Sequence, residues 1–209
     1  MNILAVGAHF DDVELGCGAT LKKLHDEGHM IYVYVGTTSG FASALTYNSI
    51  RTDDIARKEG AVAAEMLGAT LIQGDFPTFD LDYSHKLNTI ITQLVEKYKI
   101  DWVFTHWGGD PHHDHWGLAM AVLHGAKHVP HILAYRSSWY EGQEHFAPNF
   151  FVDVSDYMQF KKNLLQVFES EYHRVGEKWD IFCENTARIN GLLCGCQYAE
   201  GFQCIRWLF

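Results

Sequence analysis

Apolar runs of strand length alternate along the chain with segments of helical period. Residues 2–8 (NILAVGA), 30–35 (MIYVYV), 69–73 (ATLIQ), 101–105 (DWVFT) and 131–135 (HILAY) read as buried strands. Between them, Leu15, Ala19, Leu21 and Leu24 recur at helix spacing before Gly28, and Ile55, Ala56, Val62, Ala63 and Leu67 do so before Gly68. Leu87, Ile90, Ile91, Leu94 and Val95 precede Asp101, and Trp116, Ala119, Val122, Leu123 and Ala126 mark a fourth helix. Strand, helix, strand, repeated four times, predicts an α/β fold: a Rossmann-like, doubly wound, mostly parallel sheet with helices on both faces. The pattern changes after Pro148. Residues 149–154 suggest an edge strand, and 155–172 one long amphipathic helix capped by Ser155 or Asp156. From Arg174 to Phe209 no single period prevails. No linker, repeat or low-complexity tract interrupts the chain, so one domain over 1–209 is expected.

Composition narrows the classes. A chain of 209 residues with 47% hydrophobic positions buries roughly 70% of its unfolded surface and needs no disulfide scaffold. Intrinsic disorder is excluded as the main state. Acidic residues (26) outnumber basic ones (16), which argues against nucleic-acid binding through Lys and Arg. The clean apolar stretch at 30–35 falls far short of the ~18 residues that a membrane span needs. The apolar run at 3–8 has no basic region before it and ends at a histidine and two aspartates, so no secretory signal is expected. Cys17, Cys183, Cys194, Cys196 and Cys204 are odd in number and fit no disulfide framework, which suggests a reducing, cytoplasmic compartment.

Histidine changes the picture. Of 13 histidines, His106, His112, His113 and His115 fall within ten residues. In open α/β sheets ligands sit at the carboxyl ends of the strands, and that rule selects the loops at 8–12 and 106–115. His9, Asp12 and His115 are suitable ligands for a divalent metal such as zinc, with a fourth position open to water. His9 and Asp12 are three apart on a turn entering a helix, and His112 and His115 share a helix face. Asp11, beside a ligand, suits a general base. His112 suits an oxyanion stabiliser, as imidazolium or as N–H donor. Asp114 suits orientation of a histidine. The structural alternatives are simple. Asp11 and Asp12 could cap the helix that follows, and Pro111 could open another with Asp110 as its cap.

The stretch Ala8-His9-Phe10-Asp11-Asp12-Val13-Glu14-Leu15-Gly16-Cys17-Gly18 resembles the AHPDDxELGxGG motif of the PIG-L/LmbE-like N-acetylglucosaminyl deacetylases. Asp110-Pro111-His112-His113-Asp114-His115 is similar to their second motif, DxHxDH. Arg57-Lys58-Glu59 with Ala63-Ala64 and Leu67-Gly68 resembles a helix between the two, and 198–202 is a weaker echo. The resemblance implies a zinc-dependent deacetylase of amino sugars on a Rossmann-like sheet. It gives His9, Asp12 and His115 the metal, Asp11 the base, His112 the oxyanion and Asp114 the supporting role. Phe10 and His113 stand where the family often has proline, so Phe10 loses a fixed φ and His113 becomes a rival ligand. A two-histidine, one-carboxylate set also accepts Fe2+.

Arg136, Trp139 and Tyr140 follow the strand at 131–135 and are candidates for substrate contact, Arg for anions and aromatics for sugar faces. Arg57 is a further substrate-binding candidate, and Arg57 with Glu59 suggests an ion pair at the pocket floor or a solvated helix face. Cys194 and Cys196 suggest buried packing more than a second metal site. Gly16 and Gly18 lie inside a helix and make a poor dinucleotide fingerprint. His106 is expected to line the site without binding the ion. The alternative to a deacetylase is a non-hydrolytic Rossmann-like nucleotide- or metal-binding module. Nucleotide binding is disfavoured because two carboxylates at the first turn repel phosphate.

Overall fold

The computed structural model describes residues 1–208. Its elements run β1 (Asn2–Gly7), α1 (Asp12–Asp26), β2 (Met30–Thr37), β3 (Phe41–Ala42), β4 (Ser49–Arg51), α2 (Asp53–Leu67), β5 (Thr70–Phe76), α3 (His85–Tyr98), β6 (Trp102–His106), α4 (His113–Gly125) and β7 (His131–Tyr135). Then come β8 (Phe150–Asp153), a 3-10 turn (Ser155–Tyr157), α5 (Met158–Leu165), α6 (Glu169–Val175), α7 (Lys178–Cys194) and β9 (Ala199–Trp207).

The main sheet has seven strands in the order β5-β2-β1-β6-β7-β9-β8. The first five are parallel, and β9 runs antiparallel between β7 and β8. This is the mostly parallel α/β sheet that the alternating pattern predicts. Side chains alternate across it with period two. Ile3, Ala5, Val33 and Phe104 face one layer with α1, α2 and α5, whereas Leu4, Val6, Tyr34 and Val103 face α3 and α4. Both faces are covered, which is why the parallel strands read as unbroken apolar runs. The switch in strand order puts β1 beside β6, with Ile3 opposite Trp102 and Ala5 opposite Phe104. The loops leaving their carboxyl ends are therefore neighbours.

Two expectations are corrected. Residues 155–172 are not one helix: α5 ends at Leu165, and Val167 and Phe168 donate to Leu164 and Leu165 in tight turns. The break drives Phe168 fully into the core, beneath the Arg51 guanidinium. The region after Arg174 is ordered as α7 and β9. Its helical period is obscured because Ile181, Ile189, Leu192 and Leu193 lie on the exposed side of α7.

Inside α1 the helix is interrupted at Cys17 (φ −145°, ψ 15°). The Glu200 carboxylate on β9 accepts from the freed N–H groups of Ala19 (3.3 Å) and Thr20 (2.7 Å). Buried Lys161 on α5 pairs with Glu200 at 2.5 Å and donates to the Leu15 carbonyl at 2.7 Å. Gly16 sits where an added Cβ would enter the ring of buried Tyr135. That close approach, rather than a nucleotide, accounts for the glycine.

Replacement of Glu200 with Ala strands a buried ammonium and uncaps half of α1. A loss of about 3–5 kcal/mol is expected, read as a fall in the urea midpoint. A Lys161→Met, Glu200→Leu double variant should recover much of that loss.

Candidate active site

The loop between β1 and α1 and the loop between β6 and α4 meet above the sheet edge. His9 Nδ1 lies 3.2 Å from Asp12 Oδ2, His115 Nε2 lies 3.2 Å from Asp12 Oδ1, and the two imidazole nitrogens are 3.3 Å apart. Ligands bound to zinc at ~2.0–2.1 Å in a tetrahedron stand about 3.3 Å from one another. The donor set and its spacing fit such an ion. Two sets of candidate ligand atoms, His9 with His112 and His115, and Asp12 with His106 and His115, each lie within 4.8 Å of one another. The five residues form one connected nest.

Each of these two imidazoles has a carboxylate behind it. His9 Nε2 is 2.8 Å from Asp114 Oδ2, and His115 Nδ1 is 3.0 Å from Asp110 Oδ2. Such backing fixes the ring and aims the other nitrogen at a cation. Asp114 also accepts from the N–H groups of Phe79 (2.8 Å) and Leu81 (3.0 Å), tying down the loop after β5. Asp12 accepts from the His9 N–H (2.7 Å) and the Ser137 hydroxyl (2.9 Å), so it draws in the loop after β7 as well. His106 is different. Its Nε2 accepts from the Ala8 N–H at 3.0 Å, so that lone pair is taken, and its ring stacks on His115 with centroids 4.0 Å apart.

The buried charges set the proton affinities. Burial works against a proton on His9, but its hydrogen bonds to Asp114 and Asp12 carry it up to about 9. Burial likewise opposes charge on His115, and the Asp12 and Asp110 carboxylates outweigh it, raising the group to about 10. The nest thus demands positive charge. His112 goes the other way: burial, with His115 and His9 beside it, lowers it to about 4. It is a neutral ring whose Nδ1 accepts from the Asp114 N–H at 3.2 Å, which leaves the proton on Nε2. Of the two forms open to His112, the N–H donor is the one favoured here.

Asp11 is pushed well above the usual carboxylate range, first by burial and then by the adjacent Asp12 charge. Its backbone is strained, with φ 131° and ψ −27°. Conformations of that kind cost ~1–3 kcal/mol and need support. The side chain does not cap α1. Instead Arg51, buried, donates to the Phe10 carbonyl (3.0 Å), reaches Asp11 Oδ2 (3.4 Å) and pairs with Glu59 (2.9 Å). Rigidity lost with proline at position 10 is supplied by the Phe10 ring, which is 1% exposed and packed against Gly60.

Above this floor lies a cavity of about 350 Å³, lined by His9, Asp11, Asp12, His112 and His115 and by an aromatic wall that includes Phe79, Trp139 and Trp179. Of the four substrate candidates, Trp139 and Tyr140 reach it, and Arg57 and Arg136 do not. Arg57 lies on the outer side of α2, held by Gln73 (2.5 Å) and the Gly74 carbonyl (3.2 Å) of β5. Arg136 turns away to Glu141 (2.9 Å) and the Ser138 carbonyl (2.6 Å). Of the two alternatives for Arg57 and Glu59, the ion pair is not formed, because Glu59 binds Arg51 and Ser170. His113 points outward to Asp82 at 2.7 Å and is no rival ligand. Arg51 was hidden in the 37–53 loop, whose path has no sequence period. Asp110 opens the motif at 110–115, but the only role suggested for it there is a cap.

Comparison with known proteins bears on this geometry. Residues 4–126 match the family model for PIG-L, GlcNAc-PI de-N-acetylase. The diacetylchitobiose deacetylase of Thermococcus kodakarensis is 28% identical over 99% of this chain and 84% of its own length. The uncharacterized deacetylase YaiS of Escherichia coli is 32% identical over 74% of this chain and 82% of its own. The crystal structure of GalB, the 4-carboxy-2-hydroxymuconate hydratase of Pseudomonas putida, superposes with a TM-score of 0.83 at 18% identity, covering 100% of this chain and 97% of that one. This last likeness shows the fold alone. The first three findings show more: the chain belongs to the PIG-L family and is a hydrolytic N-deacetylase.

Proposed function

We propose that the chain removes the acetyl group from an N-acetylated amino sugar or its conjugate, with His9, Asp12 and His115 holding a divalent cation, Zn2+ or Fe2+. The observation that carries this is the set of 3.2–3.3 Å separations among those three side chains, with a carboxylate behind each imidazole. Amino-sugar substrates are supported by the family description and by the relative named for diacetylchitobiose. The fold is read as one domain over 1–209, because β9 from the far end of the chain joins the same sheet beside β7.

When bound, the cation supplies Lewis acidity at a carbonyl oxygen and lowers the pKa of coordinated water. The protein's own groups do the rest. Asp11 takes a proton from the water that attacks the amide carbon, and burial raises its proton affinity above that of an ordinary carboxylate, which makes it a stronger base. The His112 Nε2–H donates to the oxygen that gains charge. The proton held by Asp11 passes to the departing nitrogen, so amide and water become acetate and amine. Asp114 and Asp110 keep the His9 and His115 rings in place. Trp139 and its aromatic neighbours offer a flat apolar surface to a sugar ring. Two carboxylates at the first turn argue against a phosphate-cradling, non-hydrolytic module.

The test is acetate and free-amine release from N-acetylglucosamine, N,N′-diacetylchitobiose and simple N-acetylglucosaminides by zinc-loaded protein. Turnover of none of them, with metal bound, would overturn the amino-sugar reading. Replacement of Asp11 by Asn should lower kcat by ~10²–10⁴-fold while elemental analysis finds the metal still bound. Unchanged turnover would remove Asp11 from the chemistry. Replacement of His115 by Ala should instead lose the metal and the activity together, and a His115→Ala protein that keeps full metal occupancy would refute the ligand set.

A further inference from the structure

The Cys194-Gly195-Cys196 segment, read from the sequence as buried packing, is not buried. Cys194 is exposed, Cys196 is half-buried, and both thiols are free. Their sulfurs lie 3.5 Å apart. The cause is local. Cys194 is the last residue of α7, and Gly195 takes a left-handed conformation (φ 82°) that a side chain would disfavour. The N–H groups of Gly195 (2.8 Å) and Cys196 (3.0 Å) both return to the Gly191 carbonyl. Gly191 itself has no room for a Cβ against the Cys196 and Gln197 carbonyls. A glycine of this kind ends many helices. A thiol on each side of it, with the two sulfurs facing, is not required by helix termination.

We infer that Cys194 and Cys196 form a redox-active dithiol that closes to a disulfide by exchange with a low-molecular-weight disulfide such as oxidised glutathione. The gap must shrink from 3.5 Å to the ~2.05 Å of an S–S bond, within reach of side-chain rotation at an open helix end. The hydrogen bonds that hold the sulfurs, Cys194 to the Asn190 carbonyl (3.2 Å) and Cys196 to the Tyr198 carbonyl (3.3 Å), are weak thiol contacts. Neither cysteine lines the catalytic cavity, so the pair is a site in its own right.

The two sulfurs have unequal parts. Cys194, the exposed one, meets the incoming disulfide. Burial, with Cys194 and Asp153 beside it, lifts the Cys196 thiol to about 11, so it is the poorer first nucleophile and the natural resolving group. In the first exchange the Cys194 thiolate bonds to one sulfur of the reagent, and the other sulfur leaves as a thiol carrying one proton. Cys196 then attacks Cys194 Sγ and expels the second thiol with the second proton. Two protein thiols are oxidised by two electrons, and one disulfide is reduced to two thiols.

The experiment uses the reduced full-length protein, equilibrated with mixtures of reduced and oxidised glutathione, alkylated, and analysed by intact mass and peptide mapping. The expected product has lost two hydrogens, mapped to Cys194 and Cys196, and dithiothreitol restores it. Replacement of Cys196 with Ser should trap one glutathione on Cys194, and Cys194→Ser should slow the reaction. Phenylarsine oxide, which bridges paired thiols, should bind the reduced wild type and lose that binding in either variant. Wild-type protein that stays reduced, carries separate glutathione adducts on both cysteines, or joins either one to Cys204 or another chain would overturn the inference. Both Ser variants should keep wild-type deacetylation, so this outcome and that of the amino-sugar assay are independent.

Discussion

One buried carboxylate organises the catalytic edge. Asp12 is 3% exposed, yet its neighbours hold it well below the usual carboxylate range: burial would raise it, but His115 and His106 facing it more than compensate. An isolated charge at that depth is costly. It is tolerated because three strand ends converge on it. The loop after β1 supplies a backbone N–H and the His9 ring, the loop after β6 leads to His115, and the loop after β7 supplies the Ser137 hydroxyl. Strand order therefore matters to the chemistry. Without β1 beside β6, and β7 next in line, Asp12 would keep only His9 of these partners and the histidines would have no common focus.

Negative charge continues outward from that centre. Asp110 and Asp114 stand behind the two imidazoles, so the rings sit between carboxylates on both sides. Burial opposes charge on Asp114, but the His9 ring in contact with it lowers it to about 2. Three ionised carboxylates around two imidazoles are balanced by protons on the rings or by a divalent cation. The same nest leaves His112 neutral, first because it is buried and then because of the positive charge beside it. One arrangement thus makes two kinds of histidine out of residues only three apart.

The parallel sheet and its two active loops were legible because both obey strong local rules. Apolar runs between helical periods have few other readings, and ligands gather at strand carboxyl ends in such sheets. His9, Asp12, His112, Asp114 and His115 are close in sequence to those ends, so position along the chain implied position in space. Arg51 had no such marker. It is eight residues from Glu59 in sequence and reaches Asp11 only through the fold of the 37–53 segment. Arg136 is the opposite case: it leaves a strand end at the correct edge, but nearby carbonyls and Glu141 satisfy its guanidinium locally. The helix expected at 155–172 stops at Leu165, and the turns that follow place Phe168 in the core, a tertiary contact that no local periodicity records.

Arg51 also explains how the strained turn persists. Asp11 at φ 131° is unfavourable for a residue with a Cβ. The turn is held from three directions: the Ser39 hydroxyl accepts from the Phe10 N–H (3.0 Å), Arg51 grips the Phe10 carbonyl (3.0 Å), and the Asp11 carbonyl accepts the Leu15 N–H of the first helical turn (2.8 Å). Each tie comes from a different part of the structure, so relaxing Asp11 means breaking contacts in several elements at once. The strain is thereby borne by the fold rather than by the loop. Its effect is to turn the Asp11 carboxylate away from the helix end it would otherwise cap and into the cavity beside His9 and Asp12. A capping aspartate and one that faces the cavity differ here by the backbone conformation of Asp11, and the arginine beneath the loop is one of the ties that hold it.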